Sequence, residues 1–97
     1  MRRYESSFEE GLKKTLKKLF KKDKLTYRIL MDKVEEILSC EDVNHYKNLR
    51  SPLQAFKRVH IKGPFVLTFR YLSGENLVKF YDFDHHDEIY KKRLQPF

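Results

Sequence analysis

The chain has 97 residues, of which 40% are hydrophobic and 14% aromatic, a composition that suits one small folded domain and excludes a disordered chain. Its 21 Lys and Arg residues outnumber the 14 Asp and Glu residues, and the resulting net charge of +7 makes a polyanion such as nucleic acid the first candidate partner. The single cysteine excludes an intrachain disulfide, and no apolar run is long enough to span a membrane, so we expect a cytoplasmic protein with no membrane partner.

The first part of the chain shows the pattern of an amphipathic helix. Ser7 and Glu10 form a capping-box pattern, and the apolar residues that follow recur at helical spacing. This pattern predicts a helix from about Phe8 to Lys21. Residues 2–6 could form a short strand before it.

A second helix is predicted after a very short link. Asp23 is a candidate cap, and apolar residues from Tyr27 to Leu38 repeat the three-four spacing up to an end near Cys40. Each helix needs cover for its apolar stripe, and the link between them is short. The two helices should therefore fold back on each other as a hairpin.

In the second half of the chain, apolar and polar residues alternate as they do in β-strands. Residues 41–54 have no period and contain Pro52, which indicates a loop, and residues 57–62, 65–72 and 77–83 are predicted to be three antiparallel strands. The predicted fold class is α+β, with an N-terminal helical hairpin packed on one face of a small antiparallel sheet. One domain should span residues 1–97.

The register of the last two strands depends on their turn. If Gly74 begins a two-residue turn, Arg70 pairs with Lys79 and Thr68 with Tyr81. Alternation then gives the sheet two different faces. The face toward the helices contains Val59, Ile61, Phe69, Tyr71, Val78 and Phe80. The opposite face contains Arg58, His60, Lys62, Thr68, Arg70, Lys79 and Tyr81.

This second face is predicted to bind RNA. Cations hold phosphates, and an aromatic ring offers a base a surface for stacking. A histidine can give or take a proton at neutral pH, as cleavage of RNA by its own 2′-hydroxyl requires, so His60 or His86 could serve in catalysis. The alternative is an exposed face left charged for solubility.

A metal site is the less favoured alternative. It would use His85, His86, Asp87 and His60, but adjacent residues on an extended segment point apart, and the cationic surroundings oppose a divalent ion. The sequence has no Gly-rich phosphate loop, Ser-centred nucleophile motif or Cys-His nucleophile signature. We therefore expect no metal and no small-molecule cofactor.

Three segments carry a family resemblance. They are Ser51–Gln54 (SPLQ), Val59–Phe69 (VHIKGPFVLTF) and Asp84–Tyr90 (DHHDEIY). Together they resemble the RelE/ParE toxin superfamily, most closely its YafQ branch, over roughly Tyr4 to Lys92. The resemblance implies an mRNA interferase, that is, a ribosome-dependent endoribonuclease that makes the 2′-hydroxyl of the message attack its neighbouring phosphate without a metal. It also implies a type II toxin-antitoxin system with a protein antitoxin.

The resemblance assigns roles by position. His60 matches the strand histidine of the YafQ pattern, and His86 matches the histidine near the C-terminus, which would be the general acid or base. Tyr90 takes the place of the terminal aromatic residue, which would stack on the nucleotide or orient it. The predicted catalytic residues are His86, His60, Arg58 and Tyr90. The predicted RNA contacts are Lys57, Lys62, Arg70, Lys79, Tyr81, His85 and Lys91.

Three positions depart from the family pattern. Ser51 replaces a histidine, Pro64 replaces an aspartate, and Val66 stands where RelE sequences carry a strand arginine. A cation aimed at the phosphorane oxygens would restore the missing charge, and Arg58, Lys62 or Arg70 could supply it.

Two other functions are also compatible with the sequence. A ParE-like toxin would use the same fold to bind DNA gyrase and would have no use for the two histidines or Tyr90. A catalytically decayed RNA-binding module, suggested by the three departures, would bind RNA in a salt-dependent way without cutting it. Under either toxin hypothesis, the antitoxin would lie over the basic face or displace the C-terminal segment.

Overall fold

The computed structural model describes residues 2–91, and it confirms the α+β fold class. Its elements in chain order are β1 (Glu5–Phe8), α1 (Glu10–Lys22), α2 (Lys24–Ser39), β2 (Lys57–Lys62), β3 (Phe65–Leu72), β4 (Leu77–His85) and α3 (His86–Lys91). Met1 and residues 92–97, which the predicted domain includes, lie outside the described residues, as does the Lys92 end of the family resemblance. Within the described range, no helix combines the length and apolar character needed to cross a membrane.

The four strands form one mixed sheet in the order β1-β4-β3-β2. The three predicted antiparallel strands are confirmed as β2, β3 and β4, and the short N-terminal strand lies at residues 5–8 and runs parallel to β4, which makes the sheet mixed. The predicted capping box is wrong, because Ser7 pairs with Lys79 inside the sheet. Helix α1 begins later, with Glu9 as its N-cap. The edge of β4 offers backbone partners to these residues, and this pairing replaces the helical turn that the local pattern favours.

The helical hairpin forms as predicted. Asp23 caps α2, because its carboxylate accepts hydrogen bonds from the backbone N–H of Thr26 at 3.1 Å and from the Thr26 hydroxyl at 2.6 Å. Helix α2 ends at Ser39, with Cys40 as its C-cap. The main core lies between the hairpin and one sheet face. Its fully buried residues include Leu12, Leu30, Val34, Ile37, Leu67, Phe69, Val78 and Phe80.

The register of β3 and β4 changes along its length. Arg70 pairs with Lys79, as predicted, but the connection is a short 3-10 turn that ends at Asn76, whose φ of 49° is left-handed. Further along, a bulge next to Thr68 makes this residue pair with Asp82 and not with Tyr81. An extra residue on one strand shifts every later pair by one position.

A second apolar cluster covers part of the outer face of the sheet, the face away from the α1–α2 hairpin. It contains Leu49, Leu53, Phe56, Val66, Tyr81 and Ile89, with Tyr90 packed at its border. The loop of residues 46–56 and helix α3 supply most of these side chains, so they fold over a face that the sequence predicts to be open. The cluster holds loop and helix in fixed positions beside β2.

Candidate active site

Two histidine rings lie side by side at the end of the outer face. His60 lies on β2 and His86 is the first residue of α3, and their ring centroids are 6.4 Å apart with the planes within 16° of parallel. The backbone N–H of His86 donates to the carbonyl oxygen of Pro64 at 2.8 Å, which fastens the start of α3 to the turn between β2 and β3. The structure thus brings together the two histidines that the sequence selects as catalytic candidates.

Tyr90 stands next to this pair because the last segment is helical. An extended segment was expected here from the sequence, but residues 86–91 form α3, and residues four apart share one helix face. The rings of His86 and Tyr90 are accordingly 5.3 Å apart, edge to face. Three aromatic rings, those of His60, His86 and Tyr90, follow one another across the site.

Arg50 contacts the side of Tyr90 away from His86, and it is not among the site residues predicted from the sequence. Its backbone N–H donates to the phenol oxygen of Tyr90 at 2.9 Å, and its guanidinium carbon lies 5.2 Å from the centre of the ring. Burial raises the pKa of Tyr90, but the hydrogen bonds from Arg50 and the charges of Arg50 and Arg58 outweigh it, so the pKa lies below its usual value. Two guanidinium groups therefore act on one phenol.

The loop that carries Arg50 is held on both sides. The backbone N–H of Leu49 donates to the carbonyl oxygen of Phe56 at 2.8 Å, and the backbone N–H of Leu53 donates to the carbonyl oxygen of Arg50 at 2.9 Å. The side chains of Leu49, Leu53 and Phe56 are buried in the second cluster. The one sequence signal for Arg50 was its position directly before the Ser51–Gln54 motif.

Arg58 lies on β2 on the same face as His60, as predicted. It pairs with Thr68, and Thr68 pairs with Asp82, so these three residues form one cross-strand row. In the same way, His60 pairs with Val66 and Val66 with Asp84. The two rows place an arginine and a histidine on β2 and a carboxylate at the opposite end of each row.

Two predicted RNA contacts are buried. Lys57 is only 8% exposed, and its ammonium group donates to the carbonyl oxygen of Tyr46 at 3.2 Å and to the side-chain oxygen of Asn48 at 3.1 Å. Burial also lowers the pKa of Lys57. Tyr81 is 6% exposed, with its ring edge-on to Phe56 at 4.8 Å. Both side chains are thus buried in this structure, which does not favour the RNA contacts predicted for them.

Two further predicted contacts lie on the helix side of the sheet. A bulge between His60 and Lys62 turns Lys62 toward the helical hairpin, where it lines a pocket with Asp23 and Phe83. His85 pairs with Phe65 at the end of β4, and their rings are 5.8 Å apart. The ring of Phe65 in turn stacks on that of Phe83, a residue of the main core. Lys62 and His85 are thus separated from the histidine pair by the sheet.

The remaining predicted cations lie at the margins. Arg70 and Lys79 pair with each other. Arg70 is four residues along β3 from Val66, the partner of His60, which corresponds to about 13 Å. The ammonium of Lys79 is 3.5 Å from the carboxylate of Glu9. Lys91 is exposed at the end of α3, next to Tyr90, and forms an ion pair with Glu88 at 3.2 Å. Of these three cations, Lys91 belongs to the element that carries His86 and Tyr90.

The departures from the family pattern also have positions in the structure. Val66 is fully buried in the second cluster, and Ser51 is exposed in the loop that carries Arg50. Pro64 contributes the backbone carbonyl that holds His86. In residues 2–91, no group of three or more His, Cys, Asp or Glu side chains is arranged to hold a metal ion.

Comparisons with known proteins give close relatives in sequence. No protein-family model matches this chain. The protein named "Putative toxin RelE4" from Methanocaldococcus jannaschii is 49% identical over 90 residues, which cover 93% of this chain and 94% of that protein. An uncharacterised protein from Methanosarcina mazei is 45% identical over 73 residues, which cover 75% of this chain and 83% of that protein.

Solved structures share the fold at low sequence identity. The toxin-antitoxin complex RelBE2 from Mycobacterium tuberculosis matches with a TM-score of 0.69 at 22% identity, covering 88% of this chain and 93% of that chain. The isolated RelE toxin of E. coli matches with a TM-score of 0.68 at 18% identity, covering 91% and 92%. YafQ from E. coli matches with a TM-score of 0.63 at 15% identity, covering 91% and 99%.

Proposed function

The chain belongs to the RelE toxin superfamily, and we propose that it is a ribosome-dependent endoribonuclease that cuts messenger RNA without a metal ion. As the toxin of a toxin-antitoxin system, here of type II, it would act in the cytoplasm and be held inactive by a protein antitoxin. One observation carries the enzymatic part of the proposal. The rings of His60 and His86 are 6.4 Å apart on a face that also bears Arg50 and Arg58.

The reaction needs two proton transfers. The 2′-hydroxyl oxygen of one nucleotide attacks the adjacent phosphorus, so a bond between O2′ and phosphorus forms and the bond from phosphorus to O5′ breaks. One proton must leave the 2′-hydroxyl, and one must reach the departing 5′-oxygen. One imidazole of the pair accepts the first proton and the other donates the second, which leaves a 2′,3′-cyclic phosphate and a 5′-hydroxyl.

The negative charge that develops on the phosphorane needs cations at fixed positions. A guanidinium group can bind two phosphate oxygens at once, and removal of one preorganised charge stabiliser typically lowers kcat by about 10²- to 10³-fold. Arg58 lies on the strand that carries His60, and Arg50 lies beside Tyr90. Of the other candidates from the sequence, Lys62 lies on the helix side of the sheet, and Arg70 lies about 13 Å along β3 from the row of His60. Arg50 and Arg58 therefore fill this role.

Tyr90 would orient the nucleotide beside the scissile phosphate. Its ring is half-buried, next to His86, and its hydroxyl is engaged by the N–H of Arg50. A ring held in this way offers a base a stacking surface at little entropic cost, because its rotation is already restricted. Lys91, exposed on the same helix, would contact the phosphate backbone of the message.

The test is an assay with purified protein, ribosomes and a message. Cleavage of the ribosome-bound message supports the proposal, and an intact message at a molar excess of protein contradicts it. RNA binding without cleavage would indicate the decayed RNA-binding module. Inhibition of gyrase supercoiling at stoichiometric protein, with no effect on the message, would indicate the ParE-like function.

A further inference from the structure

A groove between α1 and α2 lies on the side of the molecule opposite the histidine pair, and we call it the helical groove. It has a volume of about 650 Å³. Its lining residues are Phe8, Lys13, Leu16, Lys17, Phe20, Lys21, Tyr27 and Met31. Because the sheet separates it from His60 and His86, the groove is not part of the candidate active site.

The floor of the helical groove is apolar and open to solvent. Phe20 is 51% exposed although it is a large aromatic side chain, and its ring lies edge-on to Tyr27 at 5.0 Å. Leu16 and Met31 are only partly buried. Covering such side chains removes apolar surface from water, so an apolar floor of this kind is a surface to which another molecule can bind favourably.

One wall of the groove is a row of lysines. Lys13, Lys17 and Lys21 are spaced four residues apart on α1, so they stand one above the other over about 12 Å of helix. All three are exposed, and no Asp or Glu is among the residues that line the groove; Lys13 also forms an exposed ion pair with Glu10, which lies outside that lining, at 3.1 Å. The partner must therefore match an apolar floor and a cationic wall at once.

We propose that the helical groove binds an amphipathic helix of a protein partner, with apolar side chains on one face and Asp or Glu along one flank. Apolar residues three and four positions apart would enter the floor between Phe20 and Met31, and acidic residues at the same spacing would meet the lysine row. About two to three helical turns match the length of the wall. To the extent that the partner is the antitoxin, the inference rests on the proposed function.

Other occupants fit the groove less well. A second copy of this chain, docked groove to groove, would put two lysine rows into one interface without an Asp or Glu from either lining, and like charges at an interface oppose association. The phosphate backbone of an RNA would satisfy the lysines but would leave the floor of Phe8, Leu16 and Met31 exposed. An acidic amphipathic helix satisfies both features.

The probe for the test is a synthetic amphipathic peptide of about 17 residues, long enough to be partly helical on its own. It carries leucines three and four positions apart on one face and glutamates along one flank. A control peptide has glutamine at each glutamate position. Each is titrated into the full chain, with fluorescence anisotropy for affinity and amide chemical shifts for location. We expect the glutamate peptide to bind and to shift amides of α1 and α2.

Variants separate the groove from general charge effects. Leu16→Glu and Lys17→Glu should each weaken binding of the glutamate peptide by about tenfold or more. Lys14→Glu makes the same charge change at an exposed position of α1 that does not line the groove, and it should change binding little. Circular dichroism shows whether each variant is folded. Equal losses in Lys14→Glu and Lys17→Glu would overturn the proposal.

Four other results would also overturn it. They are no binding of the glutamate peptide, equal binding of both peptides, shifts confined to the face of His60, and displacement of the peptide by duplex RNA. A dimer of the free chain that Phe20→Glu dissociates would indicate self-association. Message cleavage by Lys17→Glu should remain normal, because Lys17 is remote from the histidine pair. Peptide binding by a chain that cuts no message would leave the groove assigned and reject only the proposed function.

Discussion

The ring of His60 on β2 lies 6.4 Å from the ring of His86 on α3, and the two planes are nearly parallel. The hydrogen bond from the N–H of His86 to Pro64, a residue of the turn that follows β2, sets this relationship. The placement of the two rings therefore depends on tertiary structure, and the proposed proton transfers depend on this placement.

Arg50 should be required for cleavage. Arg50→Ala removes one of the two guanidinium groups beside Tyr90, and we expect the cleavage rate to fall by about 10²-fold, because one charge stabiliser of the phosphorane is lost. Single-turnover cleavage of a ribosome-bound message measures the rate. Lys62→Ala is the matched control, since it removes a cation on the helix side of the sheet and should leave the rate unchanged. Equal effects of the two variants would contradict the role of Arg50.

The hydroxyl and the ring of Tyr90 should contribute differently. Tyr90→Phe keeps the stacking surface and loses only the hydrogen bond from Arg50, so most of the cleavage activity should remain. Tyr90→Ala also loses the ring, and cleavage should fall by about tenfold or more, as loss of a stacking contact costs about 1–3 kcal/mol. Kinetics of the two variants check this. A larger loss in Tyr90→Phe than in Tyr90→Ala is the contradictory outcome.

The phenol of Tyr90 should ionise at a lower pH than a free tyrosine. The hydrogen bonds from Arg50 and the positive charges of Arg50 and Arg58 favour the phenolate and outweigh burial, which favours the phenol. In Arg50→Ala the side-chain hydrogen bond and the charge of Arg50 are lost, whereas the backbone N–H of residue 50 and the charge of Arg58 remain, so the pKa of Tyr90 should rise. The absorbance of tyrosinate, followed during a pH titration and compared with Tyr90→Phe, measures the change. A fall in the pKa would show that Arg50 does not act on the phenol.

The second apolar cluster should stabilise both the fold and the site. Phe56→Ala creates a cavity under the loop of Arg50 and should lower the free energy of unfolding by about 3–5 kcal/mol. Denaturant unfolding measures this loss. Phe20→Ala removes a ring that is half-exposed, so it should cost much less. Equal losses for the two variants would mean that the cluster around Phe56 is not packed as described.

The cap at Asp23 should make stability depend on pH. Hydrogen bonds from Thr26 hold the pKa of Asp23 below its usual 3.8, so the ionised carboxylate stabilises the folded chain at pH values above 3.8. This contribution is lost as the pH falls through the lowered pKa. The difference in Tm between wild type and Asp23→Ala should therefore be greatest near neutral pH and shrink in acid. A difference that grows below pH 3.8 would contradict the cap.

The spacing of apolar residues along the sequence was sufficient to predict most helices and strands. The helical hairpin, the cap at Asp23, and strands β2, β3 and β4 all appear where the apolar spacing places them. The pairing of Arg70 with Lys79 follows from the assumed position of the turn, and the position of His60 and Arg58 on one face follows from alternation. These features depend on local spacing and on the two faces of a sheet.

Features that depend on distant backbone partners were not predictable in this way. Strand β1 forms because β4 has a free edge, which the pattern around Ser7 does not reveal. Two bulges also redirect side chains. In the pairing of β3 with β4 a bulge leaves Tyr81 unpaired, and in the pairing of β2 with β3 a bulge turns Lys62 toward the helices. Arg50 lies in a loop without periodicity, and only the cluster around Phe56 brings it to Tyr90.

The most direct test of the catalytic pair compares message cleavage on ribosomes by wild type, His60→Ala and His86→Ala, with the 3′ ends mapped and their chemistry identified. We predict 2′,3′-cyclic phosphate ends for wild type, and cleavage reduced by about 10²- to 10⁴-fold in each folded variant, because each loses one proton transfer. Normal cleavage by both variants, or wild-type ends without a cyclic phosphate, would contradict a histidine pair acting on one phosphodiester.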